Sequence, residues 1–219
     1  MAIPAIPSYP MPTEADLPAN RVSWEVDPER AVLLVHDMQR YFVRPFEDGA
    51  SPITELVANI RALRAACAET GVPVVFSAQP GGQTPRQRGL LQDYWGDGIP
   101  GGLGEERIVD DLAPGDDDVV LTKWRYSAFV RTDLRERMRE WGRDQLVVTG
   151  IYAHIGVLMT AADAFMNDCQ TFVVADAVAD FSVEHHRMAV EYAAQRCAVV
   201  TTTERAATWL AAPRAAKAG

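Results

Sequence analysis

The chain has 219 residues, 48% of them apolar and 23% charged, with a net charge of −9; this is the make-up of one globular domain long enough to bury a core. The acidic balance argues against a nucleic-acid partner, which needs a basic footprint, but leaves room for a small anionic ligand held by local positive charge. Three cysteines without a CxxC pair point to a reduced, cytoplasmic setting, and nothing resembles a signal peptide or the run of about 18 apolar residues that spans a membrane.

Residues 1–24 are proline-rich and aperiodic, and read as an extended arm packed on the body or on a partner subunit; residues 25–219 read as a single domain. Ala31 to His36 (AVLLVH) is a short, continuous apolar run, as expected of a strand buried on both faces. Ser51 and Pro52 open a helix as cap and first-turn proline, its stripe is Leu56, Ile60, Leu63 and Cys67, and Gly71 closes it. Val72 to Ala78 is the second strand. The glycine- and proline-rich excursion from Pro80 to Pro114 is too long for a plain connection, and such loops are usually functional. Val119 to Thr122 is the third strand, and Thr132 caps the helix that carries Leu134, Met138 and Trp141. Then follow a strand at Leu146–Thr149, a helix over 154–168, a strand at Thr171–Ala175, a helix over 183–196, a strand at Ala198–Thr202, a short helix and an alanine-rich tail. Strands alternating with helices imply a doubly wound α/β fold: a six-stranded parallel sheet with helices on both faces.

Ligands of such sheets bind beyond the carboxyl ends of the strands, at the point where strand order reverses. The first strand ends in Asp37, the second leads to Gln79, the third to Lys123, and the fourth runs into Gly150-Ile151-Tyr152-Ala153-His154-Ile155-Gly156, which opens a helix. An acid, an amide, a lysine and a helix N-terminus therefore gather on one edge. Cys67, Cys169 and Cys197 precede strands, on the opposite edge, and read as small hydrophobes. Histidines 185 and 186 are adjacent and point apart, His36 lies in a strand and His154 has no companion at metal-binding spacing, so no metal is expected. Gly101-Gly102-Leu103-Gly104 lacks the strand–turn–helix context of a nucleotide cradle. Asp176, Asp180 and Glu184 read first as capping or solvent-facing acids, with catalysis as the lesser alternative.

The segments VHDMQRYF (35–42), QPG (79–81), QRGLLQDYWG (87–96), TKWRYSAF (122–129), GIYAHIG (150–156) and ADAVADFS (175–182) together resemble the isochorismatase family across residues 8 to 210. The wider superfamily includes cysteine hydrolases with an Asp-Lys-Cys triad; Asp37 and Lys123 match the first two, while Gly156 stands at the position of the nucleophile. That departure argues against an amidase working through a thioester and matches isochorismatases proper. The chain stops too soon for the aryl carrier domain of siderophore-pathway members, and so most resembles the stand-alone members of phenazine biosynthesis, which act on 2-amino-2-deoxyisochorismate. The resemblance implies that Phe42, Gln79, Arg88, Trp95, Tyr152 and Gly156 line the substrate pocket, that Asp37 and Lys123 are catalytic, and that the enzyme is a homodimer without cofactor or metal.

The implied reaction is hydrolysis of an enolpyruvyl ether: Asp37 protonates the terminal methylene, water adds to the oxocarbenium ion, and pyruvate leaves. Lys123 and Arg88 are then the partners of the substrate carboxylates, Arg88 through a bidentate fork. Lys123 beside Asp37 lowers the pKa of the acid, whereas burial and incoming carboxylates raise it. The alternatives are a cysteine-type amidase, which needs a thiol at 156, a non-catalytic binding module, which needs no such set of polar residues, and an NAD-dependent reductase, whose glycine fingerprint is missing.

Overall fold

The computed structural model describes residues 3–211. Six parallel strands form one sheet: β1 (Ala31–His36), β2 (Val74–Ala78), β3 (Val119–Thr122), β4 (Gln145–Ile151), β5 (Gln170–Ala179) and β6 (Val199–Thr201), in the order β3-β2-β1-β4-β5-β6. The helices, in chain order, are α1 (Arg40–Val43), α2 (Ile53–Thr70), α3 (Pro85–Arg88), α4 (Leu91–Trp95), α5 (Leu134–Glu140), α6 (Leu158–Met166), α7 (Val183–Arg196) and α8 (Thr203–Leu210). The chain steps outward from β1 through β2 to β3 and then returns to pair β4 with β1, so strand order reverses between β1 and β4. The register makes the ends level there: His36 lies opposite Ser77 of β2 and opposite Gly150 of β4.

Every side chain of β1 is buried. Leu33 and Val35 enter the core beneath α2 and α8, and Val32 and Leu34 the core beneath α5, α6 and α7. The stripe Leu56, Ile60, Leu63 and Cys67 of α2 is wholly buried, each large aliphatic side chain contributing about 1.5–3 kcal/mol. Gly71 ends that helix at φ 70°.

The arm packs on the body. Ile6 and Tyr9 are buried, the Ile6 amide donates to Pro45 O, and Asn20 exchanges two hydrogen bonds with Val200 of β6. The alanine-rich tail beyond residue 211 lies outside the described residues.

Several local expectations are corrected. Ser51 does not cap α2: Pro52 occupies the cap position, and the Ser51 hydroxyl accepts from the Met11 amide instead, because the returning arm offers a donor there. Asp133, not Thr132, occupies the cap position of α5, without a side-chain cap bond; the Thr132 hydroxyl donates to Ala128 O and accepts from the Leu134 amide at 3.4 Å. The second strand starts at Val74. The fifth runs on to Ala179 after a register shift opposite Val148–Gly150, which puts Asp176 inside β5 and not after it. The helix after β4 begins with a wide turn over Ala153–Val157, in which the Val157 amide reaches Tyr152 O, before α6 proper. Turns of this kind are frequent at functional sites.

Candidate active site

Asp37 follows β1 directly and adopts φ 48°, a left-handed conformation that aspartate tolerates better than most residues. The bend turns its carboxylate in over the strand ends, where it is buried. Its Oδ1 accepts from Ser77 Oγ at 2.6 Å; its Oδ2 accepts from Lys123 Nζ at 2.9 Å and Gln79 Nε2 at 3.1 Å. Lys123, among the largest fully buried side chains, spends a second proton on Arg125 O at 2.7 Å. Burial alone would raise the Asp37 pKa, but the Lys123 ammonium, His36 and the Ser77 hydroxyl hold it below the ordinary carboxylate range. Without ligand, Asp37 is therefore an ionised acid facing a charged lysine.

Gln79 is held through its backbone: its amide donates to Gln39 Oε1, and its carbonyl accepts from Gln39 Nε2. The same Gln39 amide group reaches Glu106 O at 2.7 Å, tying the first strand end to the long excursion. That excursion delivers α3 and α4. Arg88, the last residue of α3, is 3% exposed, and its guanidinium donates to Gly96 O and Gln79 Oε1. Among the described residues no carboxylate forms an ion pair with it. Burial lowers its pKa, yet a guanidinium keeps its proton in proteins, so Arg88 is a buried cation awaiting an anion.

All eight residues singled out from the sequence (Asp37, Phe42, Gln79, Arg88, Trp95, Lys123, Tyr152 and Gly156) line one cavity at the reversal of strand order. Its space is about 630 Å³ when the open mouth is counted in. Phe42 and Tyr152 meet edge to face, and the Tyr152 hydroxyl donates to Phe42 O at 2.6 Å. Trp95 Nε1 donates to Tyr126 Oη at 2.7 Å. Phe181 packs against Tyr152, with 4.3 Å between ring centroids.

The lining also contains Tyr126, Phe181, Ile3 and His36, which sequence reasoning missed. Ser77, not itself in the lining, was missed although a lone hydroxyl at the inner end of an apolar strand was a legible signal. Ile3 arrives from the arm, and no local pattern marks it. The histidines divide. His186 is buried and bonds Ala175 O and Tyr9. His154 and His185, which lack any helical spacing, stack 4.4 Å apart, with His154 Nδ1 2.6 Å from Asp180 Oδ1. Candidate ligand atoms of these three lie within 4.8 Å of one another. The two rings are inclined by only 16°, so an ion could not lie in both ring planes, where the nitrogen lone pairs point. Of the acids Asp176, Asp180 and Glu184, the first caps α8 through Thr203, the second caps the wide turn through the His154 amide, and the third is exposed. The cysteines lie at helix ends away from the pocket, with Cys67 pushed up to about 12 and Cys197 to about 11 by burial.

Fold and site together define a doubly wound α/β protein with a buried aspartate–lysine pair at its switch point and, among the described residues, no serine, threonine or cysteine in the pocket lining. Comparison with known proteins agrees: the family described as Isochorismatase domain matches residues 31–205. The chain is 63% identical over 204 residues to an isochorismatase of Bacillus subtilis, covering 93% of this chain and 65% of that protein. It is 57% identical over 202 residues to the phenazine biosynthesis protein PhzD1 of Pseudomonas aeruginosa, covering 92% of this chain and 97% of the relative. Among solved structures, a cysteine hydrolase from Pseudomonas syringae pv. phaseolicola superposes with a TM-score of 0.79 at 23% identity, over 88% of this chain and 97% of the other, which shows the shared fold. The chain belongs to the isochorismatase family.

Proposed function

We propose that this protein hydrolyses the enolpyruvyl ether of isochorismate or of its 2-amino-2-deoxy analogue, releasing pyruvate and a dihydro-dihydroxybenzoate or a dihydro-hydroxyanthranilate. The observation that carries the reading is the pairing of a buried, side-chain-held carboxylate, Asp37, with a buried cation lacking an acid partner, Arg88, in one pocket. A vinyl ether needs a proton on its terminal methylene carbon. Asp37 supplies it; water then adds to the oxocarbenium carbon, and the hemiketal collapses by breaking the bond to the ring oxygen. No covalent intermediate is required, and neither a metal nor a cofactor has a step to perform.

The ionised state of Asp37 fits this role once substrate is considered. The substrate carries two carboxylates, and Arg88 and Lys123 are the cations to receive them. A carboxylate on Lys123 competes for the charge that holds Asp37 ionised, so binding raises the pKa of the acid and loads it with the proton it will donate. Phe42, Trp95, Tyr152 and Phe181 then exclude water from the ring.

Support for the substrate class comes from the relatives, one named an isochorismatase and another a phenazine biosynthesis protein. The two substrates differ by a hydroxyl-to-amine exchange on one ring carbon. Parallel steady-state kinetics on both, with pyruvate as readout, is the test. A kcat/KM at least tenfold higher on one identifies the physiological substrate, and no pyruvate from either removes the assignment. A homodimer is part of the proposal: α6 and α7 leave Met159, Phe165, Met166, Met188 and Tyr192 exposed, an apolar surface of the kind subunits cover.

A further inference from the structure

We infer that His36 is a specificity-determining residue: its ring takes the volume that any side chain at position 156 would need, and so bars a nucleophile from the floor of the pocket. The inference deepens the proposed function, because it explains why this site is confined to chemistry without a covalent intermediate.

Gly156 is not glycine for conformational reasons, since its backbone lies outside the left-handed region. It is glycine for want of space. A Cβ built there falls inside the imidazole of His36, with the ring Cε1 nearest, Nε2 at 2.7 Å and Nδ1 at 3.0 Å. Real Cβ atoms do not approach so closely, so either the ring or the helix must move.

Neither moves cheaply. His36 is 1% exposed and its ring is set between two carbonyls, Nδ1 2.8 Å from Ile151 O and Nε2 3.2 Å from Tyr126 O, of which a neutral imidazole donates to one. One carbonyl belongs to the last residue of β4 and the other to the segment that follows β3, and both residues line the pocket. At its own backbone His36 is pressed against Gly150 (φ 99°), where a Cβ would strike the His36 carbonyl. On the other side, Gly156 O accepts from Thr160 Oγ1 at 2.6 Å, and that hydroxyl accepts from the Ala128 amide at 3.0 Å, which pins the wide turn to the loop after β3. Ring and glycine are thus interlocked, and both face the pocket. The barred volume adjoins the acid, for His36 Nδ1 is 3.9 Å from Asp37 Oδ1. A hydroxyl or thiol at 156 would stand where it could attack a bound substrate, and the imidazole prevents it from being accommodated.

The test is a thermal-stability cycle on the full chain with Gly156→Ala, His36→Ala and the double variant. Forcing a methyl into a packed, clamped site is an overpacking defect. Gly156→Ala alone should lower the melting temperature by roughly 5–10 °C or abolish folding. In the His36→Ala background the same substitution should shift it by no more than about 2 °C, a coupling expected only of groups in contact. His36→Ser serves as a second background in case His36→Ala itself is unstable, because its hydroxyl keeps one polar group in the cavity. A Gly156→Ala penalty that is the same with and without the imidazole, in either background, overturns the inference. The cycle needs no substrate, so its failure is distinct from a failure of pyruvate release, which would count against the proposed function alone.

Discussion

Two aspartates are buried at the carboxyl edge of this sheet, and their partners differ in a way that bears on which of them the proposed reaction would use. Asp180, after β5, accepts from the backbone amides of His154 and Phe181 and from the His154 ring. It fastens the turn that opens the α6 helix, and it does not line the pocket. Asp37, after β1, accepts from side chains: Ser77, Gln79 and Lys123. Side-chain donors can be redirected by an incoming ligand, whereas backbone amides cannot. Burial is common to both; the kind of partner separates them.

The largest expected effect divides them directly. Asp37→Asn keeps one acceptor, for Lys123, and can turn its amide toward the Ser77 hydroxyl, but has no proton to give; pyruvate release should fall by about 10²–10⁴-fold, with some loss of stability because the buried Lys123 charge loses its counter-ion. Asp180→Asn should instead spare the rate. It turns an amide donor toward the His154 amide and loses hydrogen bonds worth about 1.5–3 kcal/mol each, so melting should fall by roughly 5–10 °C with kcat kept within about tenfold. Single-turnover kinetics beside calorimetry on both variants would erase the distinction if Asp37→Asn retained more than about a tenth of the rate.

Next in size is Arg88→Ala. Removing the unpaired cation should raise KM by about tenfold to a hundredfold with kcat little changed, the loss of a hydrogen bond to a charged group. Lys123→Ala should raise KM as well, but at a further loss of stability, because it strands the buried Asp37 charge. A loss in kcat alone for Arg88→Ala would move that residue from binding into the proton-transfer step.

Ser77→Ala sharpens the account of the acid. The hydroxyl favours the ionised form of Asp37, so removing it raises the Asp37 pKa. In the wild type, kcat/KM should climb as pH falls toward the depressed pKa of Asp37 and level off below it; in Ser77→Ala the levelling should begin at higher pH. The stability linked to Asp37 has the matching sign: present above the unfolded pKa, lost as pH falls through the folded one. A pH–rate profile unmoved by Ser77→Ala would mean that another group donates the proton.

The smallest expected effect is none. Iodoacetamide should leave turnover intact, because Cys67 and Cys197 are buried with thiols pushed far above neutrality and no cysteine lines the pocket. Substrate-blocked inactivation would point to a thiol in the mechanism and break the contrast between this site and a cysteine hydrolase.

The sequence by itself determined the alternation of strands and helices, and with it the edge where Asp37, Gln79, Lys123 and the Gly150–Gly156 segment gather. The reason is pattern: an apolar run as short and Val-rich as Ala31–His36 reads as a strand buried on both faces, and the polar residue that follows it falls at the rim. Arg88 and Trp95 were legible as members of an excursion too long to be idle, and through the family resemblance. Tertiary structure alone decided what spacing cannot encode. The seating of Ile3 in the pocket, the stacking of His154 on His185 and the capture of Ser51 by the arm join residues far apart in sequence. The interlock of His36 with Gly156 is of the same kind, for steric exclusion depends on where two backbones come to rest, and a glycine is silent in sequence about whether it serves a turn or makes room for a neighbour.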